Sequence, residues 1–541
     1  AATHIAGAVP RGAVAVLNPS PHARTDVVVL DVAVPAEWSD VALRSPDGSD
    51  LATQELSRSE PLLFTRELSA AEVPRMFSRV HGRELFGRCL NGCTVDDADG
   101  RPRLTFTVGN DPDPVWLDVT ELRREVELAA RAASAETWDV RVVAAPRRVL
   151  AAAVPAPPLG WSAVRPVSGR GIVADRVDVS GGAMRNGLLD VEVEPAGTLR
   201  VRAGGVDLSG VGRLVDGGDA GDTYNYAPPA VNKLVEAPED VRVETRAAGP
   251  VAGRLHIVRT YAWPRATDQK SRGAETATVE VETEVELRAG EPFLRFRFSF
   301  ENPCSDHRLR AHIPLAVRAE GSAAEGQFAV VERRLEAEGG AGEVALPTFP
   351  ARGFVDAGGV AVLLQHVLEY EVLEGTELAL TILRATGLIS RNTNSFRAEP
   401  AGPEIAVPGA QGRGPRSVAF ALLPHAGSWS EARVLTQMER YAHPFVTVSG
   451  AGEGDALEAA SGLELQGDGV VLSSLRRRGD GLEVRLVCES PQATTATLRG
   501  AFSDVREVDL LGRATGRAMT VRDRLILELA PWEIRTLQLK R

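Results

Sequence analysis

The stretch whose residue types most call for a chemical reading is Asp216-Gly217-Gly218-Asp219-Ala220-Gly221-Asp222-Thr223-Tyr224-Asn225-Tyr226-Ala227-Pro228-Pro229. Carboxylates recur at every third residue, glycines separate them, and two tyrosines and an asparagine follow at once. Such a run sits poorly on a helix face and reads as a shaped loop. Sugar sites are built from these parts, because carboxylates and Asn bond to hydroxyls while an aromatic ring packs the apolar C–H face. A plain Asp/Gly turn closed by its own side-chain to backbone bonds is the alternative. A calcium loop is a weaker third reading, since the EF-hand spacing fails and its closing Glu is missing. Asp216, Asp219 and Asp222 could also supply a hydrolytic carboxylate pair. The acid of such a pair needs apolar burial, however, and the glycine-rich surroundings point to solvent.

A second cluster lies at 378–387, a strand pattern that closes on Arg384, followed by Ser390-Arg391-Asn392. An Arg at a strand end can fork to a carboxylate or to sugar oxygens, or serve as a solvated or salt-bridged rim residue. Upstream, Arg352 and Asp356 stand four apart on a Pro-punctuated segment and read as a structural ion pair. The nine histidines show no H-x-H, H-E-x-x-H or H-x-D spacing, which argues against a locally built metal site. Neither a G-x-S-x-G elbow nor a Walker loop occurs.

Strands must position these groups. Segments 12–17, 26–34, 103–108, 140–143 and 188–194 are rich in Val and other β formers and end in turn residues. Segment 277–287 alternates Ala277, Val279, Val281, Thr283, Val285 and Leu287 inward against Glu280, Glu282, Glu284 and Glu286 outward. Segment 293–300 answers it after Ala289-Gly290-Glu291-Pro292, placing Leu294, Phe296, Phe298 and Phe300 on one face, so the pair reads as a long antiparallel hairpin. A single helix is predicted over 119–134, capped by Asp118 with Glu121 three residues on, and with Val119, Leu122, Val126, Ala129 and Ala133 on one face. Pro155-Ala156-Pro157-Pro158-Leu159-Gly160 suits a linker or an edge crossing. Short strands at 470–475, 482–488, 496–499, 505–510, 525–528 and 534–539 would close the chain as a small antiparallel sandwich, with Arg476–Arg478 at a turn.

These patterns predict a mainly β protein of several packed antiparallel β-sandwich units with one embedded helix. At 541 residues the chain exceeds one core, and the expected units are 1–160 with the helix, a large supersandwich at 161–448, and the small sandwich at 449–541. A net charge of −12 without a basic run argues against nucleic acid. No apolar stretch is long enough to span a membrane. Cys89, Cys93, Cys304 and Cys488 form neither a disulfide framework nor a zinc ribbon, which suits reduced thiols and a cytoplasmic setting. Only three of the 61 basic residues are lysines, a bias of GC-rich genomes.

Several segments together resemble the β half of glycoside hydrolase family 38 α-mannosidases, in the family's order and over most of the chain. They are 16–24 (Val-Leu-Asn-Pro-Ser-Pro-His-Ala-Arg), 185–191 (Arg-Asn-Gly-Leu-Leu-Asp-Val), the 216–229 loop, 306–310 (Asp-His-Arg-Leu-Arg), 354–356 (Phe-Val-Asp), 369–372 (Glu-Tyr-Glu-Val), 380–384 (Leu-Thr-Ile-Leu-Arg) and 421–425 (Ala-Leu-Leu-Pro-His). The segments at 369–372 and 380–384 resemble bacterial members of the mannosylglycerate-hydrolase kind.

The resemblance implies retaining hydrolysis of α-mannosides by a zinc-bound sugar, an Asp nucleophile and a second carboxyl as acid and base. In the family those groups sit in an N-terminal domain whose zinc motif begins His-x-Asp, a motif missing here. The chain, starting at Ala1, therefore reads as a processed product or expressed fragment, inert alone, with no catalytic residue, metal ligand or cofactor of its own. Its implied partners are the α-mannoside and the N-terminal zinc domain of the same enzyme, and a homo-oligomer is left open. Tyr224 resembles the family tyrosine that reaches the bound mannose, and Arg384 the arginine near the leaving-group side. Asn225, Asp219 and Asp222 follow as loop-shaping or hydroxyl-binding candidates. The competing class is a stand-alone carbohydrate-binding or structural β-sandwich.

Overall fold

A computed structural model describes residues 2–35, 37–59, 62–98, 101–109, 117–132, 137–144, 146–337, 339–340 and 344–540. Its centre is built from eight strands that carry or support the loop: β1 (Arg213–Gly218), β2 (Ala252–Pro264), β3 (Thr276–Arg288), β4 (Leu294–Asn302), β5 (His307–Pro314), β6 (Glu369–Leu373), β7 (Glu377–Ala385) and β8 (Gly414–Pro424). Strands β1, β5, β7 and β6 lie side by side in a five-stranded sheet that Thr348–Pro350 completes. Strands β2, β3, β4 and β8 run through the middle of a nine-stranded sheet.

Alternation along each strand makes the core between these sheets. In β5, Leu309, Ala311 and Ile313 are wholly buried, and they share one apolar cluster with Leu378 and Leu380 of β7, Phe296 and Phe298 of β4, and Phe420 and Leu422 of β8. The same cluster takes in Val191, Val201 and Leu208 from a third, five-stranded sheet spanning 178–211.

The predicted hairpin is β3 with β4, antiparallel and registered Val281 to Phe300 and Val285 to Phe296. Its inward and outward faces follow the alternation, except that Glu286 is buried. Its carboxylate accepts from Arg254 at 3.2 Å and Arg288 at 3.0 Å, so two guanidiniums replace the water it gives up.

The helix α1 (Val119–Ala132) begins where Asp118 Oδ1 accepts from the Thr120 and Glu121 amides at 2.9 and 3.2 Å. It buries Val126 and Ala130 against Phe77, Phe106, Trp138 and Val140. The expected inward Ala133 and the expected end at Ser134 lie outside the described residues. Strands Arg101–Gly109 and Thr137–Ala144 on either side of the helix pair in parallel, an exception to the antiparallel expectation that the crossover makes feasible.

Strand Arg147–Ala156 continues through Pro155, where its sole neighbour is Arg24–Ala33, so the Pro-rich segment is an edge crossing. Val446–Ser449 returns to pair with Val14–Leu17. The C-terminal strands form two small antiparallel sheets around Leu465, Val484, Leu486, Leu498, Leu527 and Leu537. Arg476 and Arg478 are strand residues there rather than a turn, because both clamp the buried Glu483, at 2.7 and 2.8 Å. Arg352 is not the partner of Asp356 either: Asp356 meets His425 from the end of β8. Among the described residues no helix is long and apolar enough to cross a membrane.

Candidate functional site

The Asp/Gly stretch starts as strand and becomes loop only after Gly218. Asp216 pairs with Leu309 in register, and its carboxylate turns under the sheet to His307 Nδ1 at 2.6 Å and to the Arg272 guanidinium. The second nitrogen of His307 faces Asn302 Oδ1 at 3.0 Å, so both ring nitrogens meet acceptor oxygens. Arg272 also donates to the carbonyls of Asp216 and Lys233, at 2.9 and 3.0 Å, which ties the strand end to the returning chain.

Asp219, the first residue past β1, is fully buried. Its Oδ1 accepts from the Gly221 amide at 2.9 Å and the Ala227 amide at 3.4 Å, while Oδ2 accepts Arg384 Nε at 2.7 Å. Burial pushes this carboxyl above its ordinary pKa, and Arg384 and the two amides offset part of the rise. Gly221 is required by close approach: a Cβ there would stand 2.1 Å from the Asn225 carbonyl oxygen.

Asp222 is buried as well. Oδ1 accepts the amides of Tyr224 at 3.0 Å and Asn225 at 3.1 Å; Oδ2 accepts the Arg391 amide at 2.7 Å and the Arg397 guanidinium. Burial alone would raise its pKa, but those donors outweigh it and hold it below the ordinary carboxylate range. The expectation that glycine-rich surroundings leave these three carboxylates in solvent is overturned. Each Asp is buried against an Arg of its own, Asp216 with Arg272, Asp219 with Arg384 and Asp222 with Arg397. Glycines here do not open the loop to water; they let backbone close over the carboxylates.

Around this braced base the remaining candidates separate. Tyr224 projects outward, 57% exposed, with the Arg397 guanidinium 6.0 Å from its ring centroid. Asn225 is half-buried and its Oδ1 accepts from Arg397. Tyr226 turns down onto the outer face of the sheet, where Arg308 lies 4.7 Å over its ring. Arg384 spends Nε on Asp219 and a terminal nitrogen on the Asp222 carbonyl, so it reaches both buried corners of the loop. Segment 388–397 lies alongside: Thr223 donates to the carbonyls of Leu388 and Ile389, and Arg391 Nε to the Gly221 carbonyl at 2.9 Å.

Arg272 and Arg397 are the site residues that local sequence reasoning passes over, while Arg391 and His307 stand in the 390–392 and 306–310 segments without the partners the fold gives them. A usable signal exists for the arginines: three acids among glycines with no adjacent base must draw counter-charges from afar, and Arg391 and Arg397 stand just beyond the strand that ends in Arg384. Among the described residues no group of three His, Cys, Asp or Glu converges as a metal would require.

Residues 184–388 match the family described as glycosyl hydrolases family 38 C-terminal domain. A curated putative mannosylglycerate hydrolase of Halalkalibacterium halodurans is 24% identical over 330 residues, covering 56% of this chain and 35% of that protein. An alpha-mannosidase from Enterococcus faecalis shares the fold with a TM-score of 0.68 at 18% identity, over 99% of this chain and 57% of its own. A glycosyl hydrolase family 38 protein from the same organism matches at 0.68 and 17%, over 98% and 59%. The chain thus spans between about a third and three fifths of the length of these relatives. The matched segment takes in the loop and Arg384 but stops before Arg391 and Arg397.

Proposed function

Because this chain carries the C-terminal domain of glycosyl hydrolase family 38 over residues 184–388, we propose that it forms the substrate-supporting side of an α-mannosidase. The zinc ion, the Asp nucleophile and the carboxyl acid and base belong to a separate N-terminal domain, and hydrolysis proceeds with retention. Zinc held there would orient the sugar. The residues of this chain orient and enclose it from the other side.

One observation carries the reading: Tyr224 stands exposed on a loop whose every buried carboxylate is pinned. A phenol on a rigid base can donate to a sugar hydroxyl with little ordering cost, which is how preorganised support raises rate. Arg384 acts beneath it, shaping the loop through Asp219 and the Asp222 carbonyl. Four free cysteines agree with a cytoplasmic setting for the enzyme.

The isolated chain, assayed with an aryl α-mannoside and zinc, is expected to give no turnover, whereas the chain joined to a zinc-binding family 38 domain turns the substrate over. Activity of the isolated chain would overturn the division of labour. A stand-alone carbohydrate-binding role makes a different prediction, tight binding of mannose or mannobiose by the chain alone in calorimetry. Half a site leaves sugar hydroxyls in water, so weak binding is the expected result.

A further inference from the structure

We infer that Arg397 is the positioning residue of this site, holding Tyr224 and Asn225 in the pose that meets the sugar. The inference rests on the reading of Tyr224 just proposed, and goes past it to a residue outside the segment that matches the family.

Arg397 is 5% exposed, and its guanidinium is shared between the loop and its own segment. One terminal nitrogen donates to Asp222 Oδ2 and, at 3.2 Å, to Ser390 Oγ; the other donates to Asn225 Oδ1. Its Nε is fixed by the Glu399 carbonyl at 2.8 Å, which sets the plane of the fork. From that plane the cation faces the Tyr224 ring. Tyr224 is thereby restrained twice by one side chain. Its ring meets the guanidinium, and its backbone amide is held at 3.0 Å by Asp222, whose second oxygen Arg397 occupies. Asn225 is restrained in the same way, through its amide by Asp222 and through its side chain by Arg397.

A structural brace for the fold would be expected among the sheets. Arg397 instead sits on the irregular segment after β7, 175 residues from Asp222 in the chain, and its side-chain contacts fall on the loop and on its own segment. Only a planar fork can serve a carboxylate and an amide oxygen at once while facing a ring, so Lys is not an equivalent there.

The test uses the whole chain labelled with 3-fluorotyrosine. Five tyrosines give five fluorine resonances, and Tyr224→Phe identifies the one of interest. Arg397→Gln is expected to move the Tyr224 resonance toward that of the free amino acid and to sharpen it, with Tyr261 and Tyr370, buried elsewhere, unmoved. Arg397→Lys restores little of the shift. A Tyr224 resonance that stays put while the chain remains folded overturns the inference. Should Arg397→Gln disturb Tyr261 and Tyr370 too, Arg397 is a general structural residue, and the inference fails equally.

In the enzyme joined to its zinc domain, Arg397→Gln should lower kcat/KM about tenfold in the wild type but less than about twofold in a Tyr224→Phe background. Additive losses would show that Arg397 does not act through Tyr224. An enzyme that hydrolyses no α-mannoside refutes the proposed function, while the fluorine spectra still decide the position of Tyr224.

Discussion

Asp219 and Arg384 stand 165 residues apart in the chain and 2.7 Å apart in the fold, carboxylate oxygen to guanidinium Nε. The same guanidinium reaches the carbonyl of Asp222, so the end of strand β7 sets two corners of the loop at once. Arg384→Ala should cost about 3–5 kcal/mol, because it leaves Asp219 buried and unpaired. Asp219→Asn added to Arg384→Ala should recover part of that loss, since a neutral amide can still accept from Gly221. Denaturant unfolding of the two variants checks the order; equal stability would show that the pair is not what holds the corner.

Tyr224 separates function from stability. With its ring more than half exposed, Tyr224→Phe should change stability by less than about 0.5 kcal/mol. Turnover by the zinc-bearing enzyme should nevertheless fall, in kcat more than in KM, because the hydroxyl contributes most where the sugar distorts. Unchanged kinetics would remove Tyr224 from the site.

What could be read from sequence here follows the range of the interactions. The β3–β4 hairpin and α1 are written in local periodicity, and the structure contains both. The 216–229 loop shows its composition but not its burial, since Asp216, Asp219 and Asp222 take their partners from 56, 165 and 175 residues away. Glu286 illustrates the same limit within a strand. Alternation puts it outward, while Arg254 on the neighbouring strand and Arg288 at the strand end make burial affordable. Asp356 likewise chose His425 across the sheet over the Arg four residues before it.

Glu286 and Glu377 contribute strongly to the acid limb. Burial opposes ionisation of Glu286, yet Arg288 and Arg254 hold it down to about 2; for Glu377 the His312 and Arg213 bonds do the same, also to about 2. Both folded values lie below the ordinary Glu value, so each pair stabilises the fold above about pH 4.5 and loses that contribution as pH falls toward 2. The loss is on the order of 3 kcal/mol for each group. Glu377→Gln should shallow the acid limb of a stability-versus-pH curve measured by denaturant unfolding; an unchanged limb would show that the His312 and Arg213 contacts do not persist in solution.

Glu489 works in the opposite sense. It follows strand Gly481–Cys488 in the C-terminal sandwich, is 5% exposed, and has an Oε2 atom with no hydrogen-bond partner. Burial pushes it up to about 7, helped by Glu325 of the nine-stranded sheet and Glu439 of the helix Val434–Ala442, with Arg352 pulling weakly the other way. A carboxyl with a raised folded value takes up a proton on folding. Its contribution is therefore complete below about pH 4.5 and is lost as pH rises through 7, by roughly 3 kcal/mol. His22, whose value is raised by its bond to Glu439, loses its own contribution in the same direction. The region around Glu489 should thus loosen as pH rises from about 4.5 to 7, with His22 adding to the loss above 6.5. Amide exchange in 463–490 followed across that range should rise with pH beyond the chemical rate, and Glu489→Gln should flatten the rise by removing the proton on which it depends.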